Sequence, residues 1–126
     1  LANSFMVTFS KNQLGEMYIL AAVDVLNIIL KQTQVRHTEL EQRFGLKAEV
    51  SLGINAGLAL VEPNGTPFGI IPNVALDLMS KAGPGQVLVA AACKYALVPN
   101  YLLLPVQEDR TEQASLTVTA YHLALG

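Results

Sequence analysis

The sequence predicts an α+β domain in which helices pack on one mixed sheet. Apolar residues recur with a period of two in some segments and at helical spacing in others, and the two kinds of segment are interleaved along the chain. The chain has 126 residues with 52% hydrophobic content, which suits one domain with a real core. We therefore expect residues 1–126 to form a single domain.

The first half of the chain is predicted to contain two strands and one long helix. Alternation over residues 5–9 predicts a short strand. Apolar residues then recur at helical spacing from 14 to about 31, in a stripe wide enough for a helix laid flat on a sheet. Residues 33–44 are polar and are either a helical extension or an exposed connection, closed by Gly45. Alternation over 48–54 predicts a second strand with one buried face.

The second half is predicted to alternate in the same way. Glu62-Pro63-Asn64-Gly65 is a strong turn signal. A helix is expected from about Pro72 to Ala82, because proline suits a first turn and Gly83-Pro84-Gly85 stops a helix. The elements expected after it are a strand at 87–89, a short helix at 91–98, a strand at 101–106, a polar turn at 107–113 and a strand at 116–123.

Composition excludes several classes of function. A net charge of −2 with 14% charged residues gives no broad basic surface, so we expect no nucleic-acid partner. The apolar stretches 17–30 and 87–98 are interrupted and fall short of the roughly 20 residues that span a bilayer, so we expect no direct membrane insertion. The single Cys93 excludes an intrachain disulfide and indicates a reducing, cytoplasmic compartment. The chain opens with Leu1 directly in a strand pattern, which predicts a piece of a longer protein.

Three motifs in order point to one family. The first motif, residues 1–9, reads Leu-Ala-Asn-Ser-Phe-Met-Val-Thr-Phe, and the second, residues 51–57, reads Ser-Leu-Gly-Ile-Asn-Ala-Gly. The third, residues 66–89, contains a Phe-Gly pair, then Asn73, Ala75 and Leu78 in register with the family pattern, then Gly-Pro-Gly and an apolar strand. Together they resemble the class III nucleotidyl (adenylate/guanylate) cyclases. The resemblance implies a ferredoxin-like, nucleotide cyclase-like α/β sandwich with a mixed, mostly antiparallel sheet, whose first strand would precede the chain.

The resemblance also assigns positions in a site. In the family, two aspartates hold divalent metals in one subunit, while the other subunit supplies an asparagine for the ribose and an arginine for the phosphates. Asn73 matches the ribose position, but the second metal aspartate is replaced by Asn3 and the arginine by Asp77. Thr66 and Phe68 fall at nucleotide-binding positions.

Each of these residues also has a structural interpretation. Asn73 is explained at least as well as a helix N-cap or near-cap, and Thr66 and Asn3 as turn residues. Asp77 can lie on a helix surface and pair weakly with Lys81 at i+4. A neutral amide at the metal position contributes no charge to offset a cation, so we predict no metal at Asn3.

We therefore predict a cyclase-homology domain that has lost catalysis and acts as a dimerisation and regulatory signalling module. Its expected partners are itself or a related cyclase domain, and the domains fused to it, with no cofactor of its own. Two alternatives stay open. In the first alternative, the domain is the weak half of an active heterodimer and supplies Asn73 to a partner subunit that binds magnesium or manganese. In the second alternative, the domain is a small-molecule or nucleotide sensor.

Overall fold

A computed structural model describes residues 4–46, 49–106 and 120–125. The helices are α1 (Lys11–Leu14), α2 (Tyr18–Phe44), α3 (Ile70–Lys81) and α4 (Lys94–Leu97), with 3-10 turns at Gly15–Met17 and Ala91–Cys93. The strands are β1 (Leu52–Ile54), β2 (Leu60–Val61), β3 (Pro67–Phe68), β4 (Val87–Ala90), β5 (Leu102–Pro105) and β6 (Ala120–Ala124).

Four of the strands form one mixed sheet in the order β1-β4-β6-β5. β1 runs parallel to β4, with Gly53 opposite Leu88, and the other two pairs are antiparallel. β2 and β3 form a separate antiparallel hairpin. Among the described strands, the prediction of an α+β domain with a mixed, mostly antiparallel sheet is confirmed.

Strand β4 is the centre of the molecule, because all four of its residues are buried. Successive side chains of a strand point to opposite faces. Val87 and Val89 accordingly pack in one core cluster with side chains of α2, while Leu88 and Ala90 pack in a second with Leu78 of α3. The two long helices therefore cover opposite faces of the sheet.

Helix α2 is longer than the apolar stripe that predicts it. It continues through the polar segment to Phe44, where Gly45 adopts a left-handed conformation (φ 66°) and donates its N–H to the Glu41 carbonyl at 3.0 Å. This arrangement is a common helix C-terminus and favours glycine. Glu39 pairs with Arg36 at 3.2 Å in the exposed last turns. Of the two interpretations of residues 33–44, the helical extension is the correct one.

The helical stretch Lys11–Phe44 is also the one part of the described chain long and apolar enough to cross a membrane, judged by length and composition alone. The core helix of a soluble protein passes the same test. Here the buried positions of α2, including Ile19, Val23 and Leu30, pack against the sheet. The absence of membrane insertion stays a prediction.

The strand expected at residues 5–9 is wrong. This segment has no regular structure, and both Phe5 and Val7 are exposed. Alternation shows only that one face could be buried, whereas a strand forms only where another strand offers hydrogen bonds. The second expected strand is shorter than its pattern and begins at Leu52.

The remaining expectations for the second half agree with the structure where it describes them. The strands at 87–89 and 101–106 and the short helix at 91–98 correspond to β4, β5 and α4 with its preceding 3-10 turn. The last strand is described from Ala120 onward. The polar turn at 107–113 and the first residues of the last strand lie outside the described residues.

Gly53 marks the closest approach between the sheet and α3. A Cβ built on this glycine would lie 2.5 Å from the Met79 backbone nitrogen and closer still to the Ala75 carbonyl oxygen. Real Cβ atoms do not approach backbone atoms so closely, so only glycine fits here. The glycine in β1 therefore allows α3 to pack closely against this strand.

Cys93 is fully buried in the larger core cluster. Burial raises the pKa of its thiol from 9.0 to about 11. We expect the native protein at neutral pH to resist thiol reagents, because the thiolate is the reactive form, and to react rapidly in denaturing guanidinium. Labelling monitored by mass spectrometry checks this. Rapid labelling under native conditions would contradict the buried placement.

The same shift predicts a pH dependence of stability. The folded state favours the neutral thiol of Cys93, so the contribution of this thiol to the free energy of unfolding is fully present below the pKa of the unfolded state, 9.0. It is lost as pH rises from about 9 toward about 11.

Candidate functional site

The predicted site residues that the structure describes lie on two adjoining elements. Thr66 and Phe68 belong to the β2–β3 hairpin, and Asn73 and Asp77 to α3, which starts two residues after β3. All four are exposed. Asn3 lies outside the described residues, so its role as a metal-position or turn residue stays a prediction.

The hairpin turn is held by its own backbone. The Glu62 N–H donates to the Thr66 carbonyl and the Gly65 N–H to the Glu62 carbonyl, both at 2.9 Å. Gly65 has a φ of 89°, which suits glycine in a three-residue hairpin loop. Asn64 Oδ1 accepts the Thr66 N–H at 3.0 Å. The turn signal is confirmed, and the backbone of Thr66 is fixed within the turn.

Asn73 does not cap α3. The N-cap is Gly69, with φ 94° and no side-chain hydrogen bond, and Asn73 is the fourth helical residue. Its backbone N–H donates to the Gly69 carbonyl at 3.1 Å. The helix begins earlier than expected because Pro72 still falls in the first turn, where a missing N–H leaves no bond unmade. The interpretation of Asn73 as an N-cap is therefore wrong.

Asp77 lies one turn further along the same exposed face of α3. Its carboxylate pairs with Lys81 Nζ at 2.9 Å, as the spacing predicts, with both side chains about 60% exposed. Such a pair contributes only a few tenths of a kcal/mol. The position that the cyclase resemblance assigns to a phosphate-binding arginine is thus a solvated carboxylate.

Asn55 has a role that sequence reasoning missed. Its side-chain Nδ2 donates to the Ile71 carbonyl oxygen at 3.2 Å, joining the chain just after β1 to the first turn of α3. The carbonyl lies 16 residues away, so no local pattern reports the contact. A polar residue inside an otherwise apolar strand end was the available signal.

Five exposed apolar side chains belong to the hairpin and the residues that flank it. We call Leu58, Leu60, Val61, Phe68 and Ile70 the hairpin patch. Leu58 is fully exposed, Ile70 is 78% exposed and Leu60 is 67% exposed. Glu62 is the only charged residue between positions 50 and 76. Apolar patches of this kind mark interaction surfaces more often than scattered exposed residues do.

Two shallow grooves lie elsewhere, between the second half of α2 and the sheet end near Gly85. Their volumes are about 320 and 250 Å³, and they share Leu30, Gln34 and Gly85. None of the four described site residues lines either groove. In the described parts of the chain, no three His, Cys, Asp or Glu side chains are grouped to hold a metal ion.

Comparisons with known proteins give no assignment. The chain matches no protein-family model, no curated protein and no solved structure. The functional argument therefore depends on the residues of the site and their surroundings.

Proposed function

We propose that this domain is a non-catalytic cyclase-homology module with a ferredoxin-like core, which dimerises and transmits a regulatory signal within a larger protein. The observation that carries the proposal is the placement of Asp77. Its carboxylate stands exposed and paired with Lys81 on the face of α3 next to the uncharged hairpin patch. A surface of this kind suits a protein partner better than a polyphosphate.

Electrostatics supports the loss of catalysis. Two unit charges about 4 Å apart in an effective dielectric near 20 interact by about 4 kcal/mol. An arginine at this position would attract a triphosphate, whereas Asp77 repels it, and a solvent-exposed lysine partner offsets only part of that repulsion. Stabilisation of a developing phosphoryl charge needs groups of the opposite sign held in place.

The order of elements supports the fold assignment. A strand ending in Gly-Ile-Asn-Ala-Gly leads through a hairpin to α3, and α3 leads through Gly-Pro-Gly to a strand parallel to the first. This is the succession that the resemblance implies for residues 51–89. A dimerising role then follows from the family, in which two such domains meet at an interface.

Sedimentation velocity over a range of concentrations tests the dimer, and incubation with ATP or GTP plus magnesium or manganese tests the lost activity. We expect a concentration-dependent dimer and no cyclic nucleotide. A monomer at all concentrations would contradict dimerisation with itself, and cyclic nucleotide formation by the domain alone would contradict the loss of catalysis.

The half-site alternative has one observation in its favour. The Asn73 side chain is exposed on α3, where a partner subunit could reach it. Mixing with a related domain that carries its own metal aspartates separates the two functions, with Asn73→Ala as the matched variant. Activity that appears only in the mixture and disappears with this variant would establish the heterodimer.

A further inference from the structure

We propose that two copies of this domain join through the free edge of β2, as an antiparallel β2–β2 ladder about a two-fold axis. This inference rests on the proposed dimerisation and names the surface that performs it. The hairpin contains only β2 and β3, and among the described strands none lies on the outer side of β2. A two-stranded hairpin is marginally stable alone, so additional strands on its edge stabilise it.

The hydrogen-bond pattern shows which backbone groups face outward. The bond from the Glu62 N–H to the Thr66 carbonyl makes these two residues a hydrogen-bonded pair. Bonded and non-bonded pairs alternate along an antiparallel ladder. Val61 and Pro67 are the next opposed pair, so they are a non-bonded pair and their backbone groups point away from each other. Val61 therefore presents its N–H and C=O at the outer edge of β2.

The other edge of the hairpin is closed to such pairing. Pro67 is the residue of β3 whose backbone faces outward, and proline has no N–H to donate. The helix α3 also begins two residues after β3. Strand addition is consequently directed to β2.

Charge and register both favour a second copy as the occupant. With Leu60 opposite Leu60 of the second copy, Val61 pairs with Ala59 and Glu62 lies opposite Leu58, so the two glutamates do not face each other. Centring the ladder on Val61 would instead place Pro63, which lacks a donor, in a hydrogen-bonded position. The Leu60-centred register is therefore the one we assign.

The area of the hairpin patch also fits a self-association surface. Leu60 and Phe68 are directly opposed and lie on one face of the hairpin, whereas Val61 lies on the other face. Counted over both faces, the five side chains expose on the order of 300 Å² of apolar area. A standard interface buries about 800 Å² per partner, so the patch supplies a sizeable share before backbone atoms and neighbouring residues are added. A two-fold axis uses the same patch on both copies, which needs no second complementary surface.

A single introduced cysteine tests the register. Opposed residues of a non-bonded pair have Cα atoms about 4.5 Å apart, within the range that a disulfide spans. We expect Leu60→Cys to form a covalent dimer on mild oxidation, since Cys93 is buried and does not compete. Ile28→Cys, on the exposed face of α2, is the matched control and should stay largely monomeric on a denaturing gel. Equal cross-linking of the two variants would overturn the assignment.

A second variant tests the ladder without a disulfide. Val61→Pro removes the outward N–H but no hydrogen bond within the hairpin. We expect the dimer dissociation constant to rise about tenfold or more, because hydrogen bonds between the copies are lost. Circular dichroism checks that the variant is folded. If the wild type is a dimer, Val61→Pro leaves it intact and Leu60→Cys gives no cross-link, then the β2 edge is not the interface but the proposed dimerisation stands. If the wild type is a monomer, both the β2 interface and the proposed dimerisation are refuted.

Discussion

Gly53→Ala is expected to destabilise the domain by about 3 kcal/mol or more, a large part of the total stability of a small domain. The added Cβ meets the Met79 nitrogen at 2.5 Å and also the Ala75 carbonyl oxygen. Both are backbone atoms of α3, so no side-chain rotation relieves the contact and the helix must move away from the sheet. Urea unfolding followed by circular dichroism measures the loss.

Gly45→Ala is the matched control for that substitution. Gly45 has a positive φ of 66°, but a Cβ added there would meet no atom within 4 Å, so its replacement strains only the backbone. The expected cost is about 1 kcal/mol. If the two variants lost equal stability, the close approach of α3 to β1 would not be the cause.

Leu97→Ala is expected to lower the free energy of unfolding by about 2 to 5 kcal/mol. Leu97 is fully buried in the cluster that joins α2, α4 and the sheet, and truncation leaves a cavity there. Leu102→Ala makes the same chemical change at a 63% exposed position of β5 and should cost about 0.5 kcal/mol. Similar losses for the two variants would contradict the placement of α4 in the core.

Elements with complete local signals could be predicted from the sequence. Helix α3 has a proline in its first turn, apolar residues at helical spacing and Gly83-Pro84-Gly85 beyond its end, and it forms within two residues of its expected bounds. Strand β4 was recognised from its apolar run, as a strand buried on both faces requires.

The failures concern properties that a short sequence pattern does not decide by itself. The segment at 5–9 has the alternating pattern of a strand but is not one. A strand forms only when a neighbouring strand accepts its backbone hydrogen bonds, and the local sequence does not show whether such a neighbour exists. Asn73 has the propensity of an N-cap, yet Ile70 and Ile71 extend the helix upstream and Gly69 takes the cap. Cap propensity is weak when neighbouring residues can continue the helix.

The same distinction applies to the site. The pair of Asp77 and Lys81 was predictable because it depends only on i,i+4 spacing within one helix. The bond from Asn55 to Ile71 was not, because it joins two elements whose relative position is set by the packing at Gly53.

Pro67 has a consequence for the size of an assembly. A hairpin with two competent edges can recruit copies on both sides and grow without limit, as cross-β fibres do. Because Pro67 lacks the donor that the second edge would need, growth by strand addition ends once β2 is occupied. In the dimer that we propose, this one proline would therefore limit the assembly to two copies, on a surface that is otherwise apolar and almost uncharged.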